Sequence, residues 1–447
     1  GGQPGMVTVE GVHGYDGITD TAIASAAGSV MMTDYQSFVG NSASILARLT
    51  GQGLSLRGSD PASSLRVSGG VELRSSDDMV VSSAWDLASA DWMPAANPGR
   101  LTLRAPGNLT VLSAIGLPND DLANARSWDV RLVGGADLGA ADAMAVRAPV
   151  NGVFSGDVVV ANRSVFAYTN RSLGQGTWTD KASRIRTGTG NIGISAGRDF
   201  IIEDVTITTT DSQTGAVTQI DTANLAKAPA AVAYSAGVAS APDSAGRYAS
   251  NGGAITILAG RDVIGTPNQQ WIGDWYRRTT SSSLSQPATN AAGWFARRQN
   301  FKQNIGAFGG GDVSVSAGGN VVNLSVMSAT SGRVFTSAGV NQIDIQGGGD
   351  VQVAASGDIR GGEFLISRGV GSLSAGGAIG NGSPVSLYLM GESGDAALRR
   401  AAMDLYALGN ISVRAVANPT MLTQSSLSLT ASSTNGFGRW RYNFFTC

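Results

Sequence analysis

Residues 190–200 read GNIGISAGRDF, and residues 253–263 read GAITILAGRDV. Further copies are GRLTLRAPGNL from Gly99, GDVSVSAGGNV from Gly311 and GDVQVAASGDI from Gly349, with a partial one, GNISVRAVANP, from Gly409. Each unit is a glycine, a polar or small residue, two aliphatics at alternate positions, an alanine or another small residue, a small turn and a new aliphatic. Alternation of this kind is a strand with one buried face. It points Ile192 and Ile194 inward, with Ile255 and Ile257, Val313 and Val315, and Val351 and Val353 beside them. The Gly, Asp and Asn residues that follow suit a tight corner, where a positive φ is tolerated.

The repeat also disposes of two catalytic signatures. Residues 188–197, GTGNIGISAG, spell both G-x-G-x-x-G and G-x-S-x-G. A dinucleotide loop follows a strand and opens a helix, whereas these glycines precede a strand. A nucleophile elbow needs a strand–turn–helix context and a histidine partner. The chain has one histidine, His13. In the other copies Ser195 corresponds to Leu258, Ser316, Ala354, Arg104 and Arg414, so its position is an outward-facing, variable one.

Copies begin at intervals of 91, 63, 58, 38 and 60 residues. The last four lie near multiples of about 20, the length of a solenoid coil of three short strands and three turns. The expected fold is therefore all-β, a parallel β-helix with loop and hairpin extensions in the 91-residue gap and around 205–250. A β-sandwich is the competing architecture, but it has no such module. Two short helices are expected. One lies in GESGDAALRRAAMDLYALGN (391–410), with Ser393 or Asp395 as N-cap, Leu398, Ala401, Leu405 and Leu408 at helical spacing, and Gly409 after it. The other, or a loop, lies in 291–311, with Trp294, Phe295, Phe301 and Ile305 on one face and covering the flank.

Composition narrows the function classes. Of 447 residues 61 are glycine, about twice the usual share, and only 14% are charged, with a net charge of −2. Such a chain carries no field that would gather nucleic acid or an anionic membrane surface. No run of 18 apolar residues is long enough to span a membrane. The only cysteine, Cys447, rules out an intrachain disulfide. No His, Cys and carboxylate cluster has metal-ligand spacing. GGGDV at 309–313 and 347–351 falls short of a tandem calcium repeat. No catalytic, cofactor-binding or metal residue is assigned. The doublets Asp77–Asp78, Asp120–Asp121 and Arg297–Arg298 point to opposite faces of a strand and do not form one site. One region interleaves basic and aromatic residues, WYRR (275–278) with WFARRQNFK (294–302). Its Trp275, Arg277, Arg278, Trp294, Arg297 and Arg298 form the candidate ligand surface, for a glycan or single-stranded nucleic acid by stacking, against the plainer reading that arginine stems pack on structural aromatics.

From about Gly99 onward the chain resembles the filamentous-haemagglutinin-like large exoproteins of Gram-negative bacteria, and in particular a conserved domain of unknown function within them. The resemblance rests on SWDVRLVGGADL (127–138), RIRTGTGNIGISAGRDF (184–200), GGAITILAGRDVIG (252–265), DWYRR (274–278), the long run 294–326 and LYALGNISVRAVANPTML (405–422). It implies a right-handed β-helix that is secreted or held at the cell surface. Export would run through an outer-membrane two-partner-secretion transporter, with roles in adhesion, aggregation or biofilm formation. The implied partner is a glycan or protein on a host or neighbouring cell. The family's secretion domain is not among these residues, so the chain reads as a piece of trunk, with 1–98 as β-helix and 99–447 as the resembling domain. Two alternatives stand beside this one: a carbohydrate-active β-helix enzyme, and a passive stalk presenting a C-terminal toxin.

Overall fold

A computed structural model of the chain describes residues 7–22, 29–52, 65–93, 98–117, 127–170, 172–205, 209–210, 217–218, 222–225, 227–239, 248–267, 270, 272–279, 293–337, 340–390, 401–419, 423–424 and 440–441. The trunk is a parallel β-helix with three faces. One coil shows the plan. Asp129–Gly134 lies on the first face, Val158–Val160 on the second and Arg184–Thr187 on the third, and Ile192–Ala196 then returns to the first. Ten parallel strands stack in chain order on the first face and seven on the second. The third face is a twelve-stranded sheet, in which nine strands stack in parallel and three more, Tyr276–Thr279, Gly293–Ala296 and Val340–Gly347, pair antiparallel at its side. The ladder passes through residue 98 without a break, because Leu65–Arg74 pairs in parallel with Arg100–Ala105.

The alternation of aliphatics places the core as expected. Ile192, Ile194, Ile255, Ile257, Val313, Val315, Val351 and Val353 are all buried. They pair in register, Ile192 with Ile255, Ile255 with Val313 and Val313 with Val351. The second face adds Leu109, Val158, Phe200, Val263, Val321 and Ile359 to the same core. Each such side chain contributes about 1.5–3 kcal/mol on burial.

The coil length differs from the expectation. Strands 63 residues apart are neighbours, since Asn191 accepts the Ala254 N–H directly. Spacings of 58, 38 and 20 residues likewise separate adjacent coils. The longer intervals are thus single coils carrying insertions, and the 20-residue step from Asp350 to Val370 is the bare coil. Closing a longer loop costs only logarithmically more entropy, so one ladder accommodates all of these lengths. The 91-residue gap contains a further coil, with its first-face strand at Asp129–Gly134. The partial copy at Gly409 belongs elsewhere. Its strand Val413–Ala417 pairs with Val385–Leu389 on the third face, so Arg414 is not an equivalent of Ser195; Tyr406 is, through Ser374 and Ala354.

Insertions leave at the corners. The hairpin Val165–Asn170 with Gln175–Thr179 is antiparallel. Around 205–250, short antiparallel pairs flank Val232–Ser235, which is itself a trunk strand.

The described parts of the two segments expected as helix, or as helix or loop, hold strands and one 3-10 turn. Residues 391–400, with Ser393, Asp395 and Leu398, lie outside the described residues. Ala402–Ala407 is a strand, not a helix, paired in parallel with Val370–Ala375. Met403, Leu405 and Ala407 face the core at period two, and this pattern, together with a waiting ladder, outweighs the weaker spacing of 3.6. Residues 293–308 form strand Gly293–Ala296, a 3-10 turn Arg298–Asn300 and strand Ile305–Phe308. The long helix is Val30–Gly51, 22 residues, with the Ser29 hydroxyl accepting the Met32 N–H at 3.2 Å. It lays Met31, Met32 and Tyr35 into the core at the first coil. There Tyr35 meets Trp128 and Trp92 at centroid distances of 4.4 and 6.1 Å.

Candidate functional site

Three successive insertions leave the trunk at the corner between the second and third faces: the hairpin 165–179, the segment 203–231 and the segment 265–304. Backbone carbonyls of the second serve as acceptors for its neighbours. Asn162 Nδ2 donates to the Pro229 carbonyl at 3.0 Å, Trp178 Nε1 to that of Asn224 at 3.1 Å, and Lys302 Nζ to that of Ala228 at 2.7 Å. Burial pushes the Lys302 ammonium below its ordinary range.

The third insertion covers the outer side of the third face, which is apolar. Tyr234, Phe308, Met327, Leu365 and Tyr388 form a second core there with Ile272, Trp275, Tyr276 and Phe301. Trp275 is 0% exposed, with its ring 5.1 Å from Phe301 and its Nε1 donating to Gln303 Oε1 at 2.6 Å. Gln303 in turn donates to Glu363 at 2.8 Å. The Tyr276 hydroxyl donates to the Thr330 carbonyl at 2.8 Å, and the Met390 sulfur lies 2.9 Å from it.

The six residues of the expected ligand surface are therefore divided. Trp275 is a core residue and presents no face to a ligand. Trp294 is half-buried; its Nε1 donates to Thr330 Oγ1 at 3.1 Å and its ring lies over Gly332. Arg298 is buried and Arg297 exposed. The strand Tyr276–Thr279 sets Arg277 opposite Phe295 and Arg278 opposite Trp294; the side chains of these two arginines lie outside the described residues. Only Arg297 and the partly open Trp294 are shown at the surface.

Charged groups do converge elsewhere, on the outer side of the first face. Glu72 accepts from Arg74 at 2.7 Å and from Arg104 at 2.8 Å. Arg100 pairs with Glu10 and, at 3.1 Å, with Asp129. Burial alone would raise the Glu72 carboxyl, but the two guanidinium groups outweigh it and hold it below its ordinary range. The loop after Gly134 closes over this patch; Arg104 donates to the Asp137 carbonyl, and Met144 sits over Gly193. Ser195, two residues from Gly193 on the same side of the strand, is 2% exposed, with its hydroxyl lacking a partner. Position 195 thus faces outward as expected, but is buried rather than open to solvent. The doublet Asp120–Asp121 lies outside the described residues. Among the described residues, no three His, Cys, Asp or Glu side chains stand close enough to hold a metal, and no helix is long and apolar enough to cross a membrane.

The chain matches no protein-family model, no curated protein and no solved structure.

Proposed function

We propose that this chain is trunk from a secreted or surface-attached filamentous exoprotein of a Gram-negative bacterium, acting in adhesion, aggregation or biofilm formation. The observation that carries the reading is the division of labour in the fold. A continuous parallel ladder forms the shaft, and insertions on successive coils gather at one corner, where sequence can vary without disturbing the stack. On this reading an outer-membrane two-partner-secretion transporter exports the chain, and the insertions meet a glycan or protein on a host or neighbouring cell. The chain performs no chemistry of its own.

Antibody labelling and protease shaving of intact source cells test the location. Surface label that disappears when the transporter is deleted is the expected result. Signal confined to the cytosolic fraction would overturn the proposal.

One observation favours a second reading, a polysaccharide-cleaving β-helix: the cluster of Glu72, Arg74, Arg100, Arg104 and Asp129 on successive coils. Its charges are paired with one another and partly covered, which supports the non-catalytic reading instead. Release of reducing ends from bacterial or host polysaccharides would establish the enzyme.

A further inference from the structure

The one histidine in the chain lies in a part of the molecule that the adhesive reading does not use. His13 stands on the first strand, Val7–Asp16, beside the N-terminal half of the helix Val30–Gly51. Its ring stacks on Tyr15, with centroids 4.5 Å apart and planes 6° from parallel. The Tyr15 hydroxyl donates to Asp34 Oδ2 at 2.6 Å, and His13 Nδ1 lies 3.8 Å from the same oxygen. A cavity of about 200 Å³ opens between strand and helix at this point. Asp34 and His13 line it together with Tyr35, Phe38 and Val71.

The cavity exists because the strands carry glycine where the helix crosses them. Gly11 and Gly69 are paired in register, and the Phe38 ring lies against both. A Cβ on Gly69 would stand 2.6 Å from the Tyr35 ring. The two aromatic rings are thereby fixed as walls. Among the described residues, one carboxylate stands at the rim, with 36% of its side chain exposed, and one imidazole, 61% exposed. Oδ1 of Asp34 has no described partner. Arg66 acts on the Tyr35 hydroxyl but does not line the cavity.

Aromatic walls with a single carboxylate at the mouth are the elements of a cation pocket. A ring face attracts a cation through its quadrupole, and the carboxylate supplies a charge-assisted hydrogen bond. The apolar floor suits an alkyl stem more than a hydrated metal ion. We propose that this cavity binds a primary alkylammonium group, the chemistry that ends a lysine side chain, with the ammonium on Asp34 and its stem against Phe38 and Val71. The site is independent of the adhesive reading, and neither depends on the other.

A single histidine makes the test direct, because its imidazole proton signals are unique in the NMR spectrum. The full chain is titrated separately with n-butylammonium, n-butanol and n-butyrate. The expected result is a saturable shift of the His13 signals with butylammonium, half-complete at about 1–10 mM, and at least ~10-fold weaker effects from the alcohol and the acid. Asp34→Asn keeps an acceptor for Tyr15 and should lose the butylammonium response while retaining the melting temperature. Phe38→Leu should weaken it. Equal responses to butanol and butylammonium would reduce the cavity to an apolar crevice and overturn the proposal. Preference for butyrate, no response to any probe at about 100 mM, or an undiminished response in a folded Asp34→Asn protein would overturn it as well.

Discussion

At the scale of single residues, the stack tolerates very different changes at inward and outward positions, which are neighbours in sequence. Val313 and Val315 point into the core and touch the coils on both sides. Either one replaced by aspartate buries an unpaired charge, and circular dichroism should show loss of the cooperative fold. Ser195 is the opposite case. Its hydroxyl is buried without a partner, so Ser195→Ala removes a desolvated group that gains nothing in return. Stability should stay equal or rise by up to about 1 kcal/mol in thermal unfolding, with no loss of binding. Trp275→Ala removes a side chain that joins Phe301, Phe308 and Tyr276, and should cost about 3–5 kcal/mol. Arg297→Ala should cost almost nothing. The sequence made the aliphatic columns legible because their chemistry repeats. It left Trp275 ambiguous, because an aromatic beside arginines looks the same on an inner or an outer layer, and only the apolar outer side of the third face decides the matter.

At the scale of elements, the corners carry a device that residue type alone did not disclose. Between the first and second faces an Asp or Asn on each coil accepts the backbone N–H of its equivalent on the next. The column runs Asp78, Asn108, Asp157, Asp199, Asp262, Asn320 and Asp358, ending at the Ala378 N–H, with distances of 2.6 to 3.1 Å. The sequence suggested turn residues chosen for a positive φ. None of these seven has one; the positive-φ glycines Gly309, Gly310 and Gly311 sit at another corner, between the third and first faces. Arginines brace the column, Arg198 on Asp157 at 2.7 Å and Arg261 on Asp199 at 2.8 Å.

Asp199→Ala strands the Asp262 N–H and both Arg261 bonds, and should cost about 1–3 kcal/mol in chemical unfolding. Asp199→Asn keeps the ladder acceptor and should cost less. Titration adds a second check. Burial would raise Asp157, but Arg198 and the Asp199 N–H outweigh it; the Ala378 N–H and Arg360 lower Asp358. A carboxylate depressed in the folded state contributes stability above its unfolded value, near pH 4, and that contribution is lost as pH falls through the folded value. The melting temperature should therefore drop between about pH 4 and pH 2 and be flat above about pH 5.

The helix expected near 391–410 shows the opposite failure of reading. Leu405 fits a strand pattern with Met403 and Ala407 and a helix pattern with Ala401 and Leu408 at once, and only the neighbouring strand Val370–Ala375 decides between them. The true helix, Val30–Gly51, does carry a signal, a serine cap followed by Met31, Met32 and Tyr35 at helical spacing.

At the scale of the whole molecule, one ladder unites coils whose lengths differ threefold, from 20 to 63 residues. The β-helix was legible because the inward aliphatics recur on coil after coil. The coil length was not, because insertions of about 40 residues imitate two extra coils. The insertions fall where the ladder does not constrain them, and three of them stand at one corner on successive coils. On the proposed adhesive reading, the shaft keeps its sequence for stacking and leaves recognition to what projects from it. The hairpin 165–179 and the segment around Trp294 and Arg297 are the described parts of that projecting surface.

The most direct measurement is binding of the purified, folded, fluorescently labelled protein to a glycan array, with epithelial and bacterial cells alongside. The account predicts saturable binding to a defined sugar or cell type, retained in Ser195→Ala and lost when the insertion 265–304 is replaced by a short turn in a protein that still folds. Absence of binding to every glycan and cell, from a sample with an intact unfolding transition, would contradict it and leave the trunk a spacer.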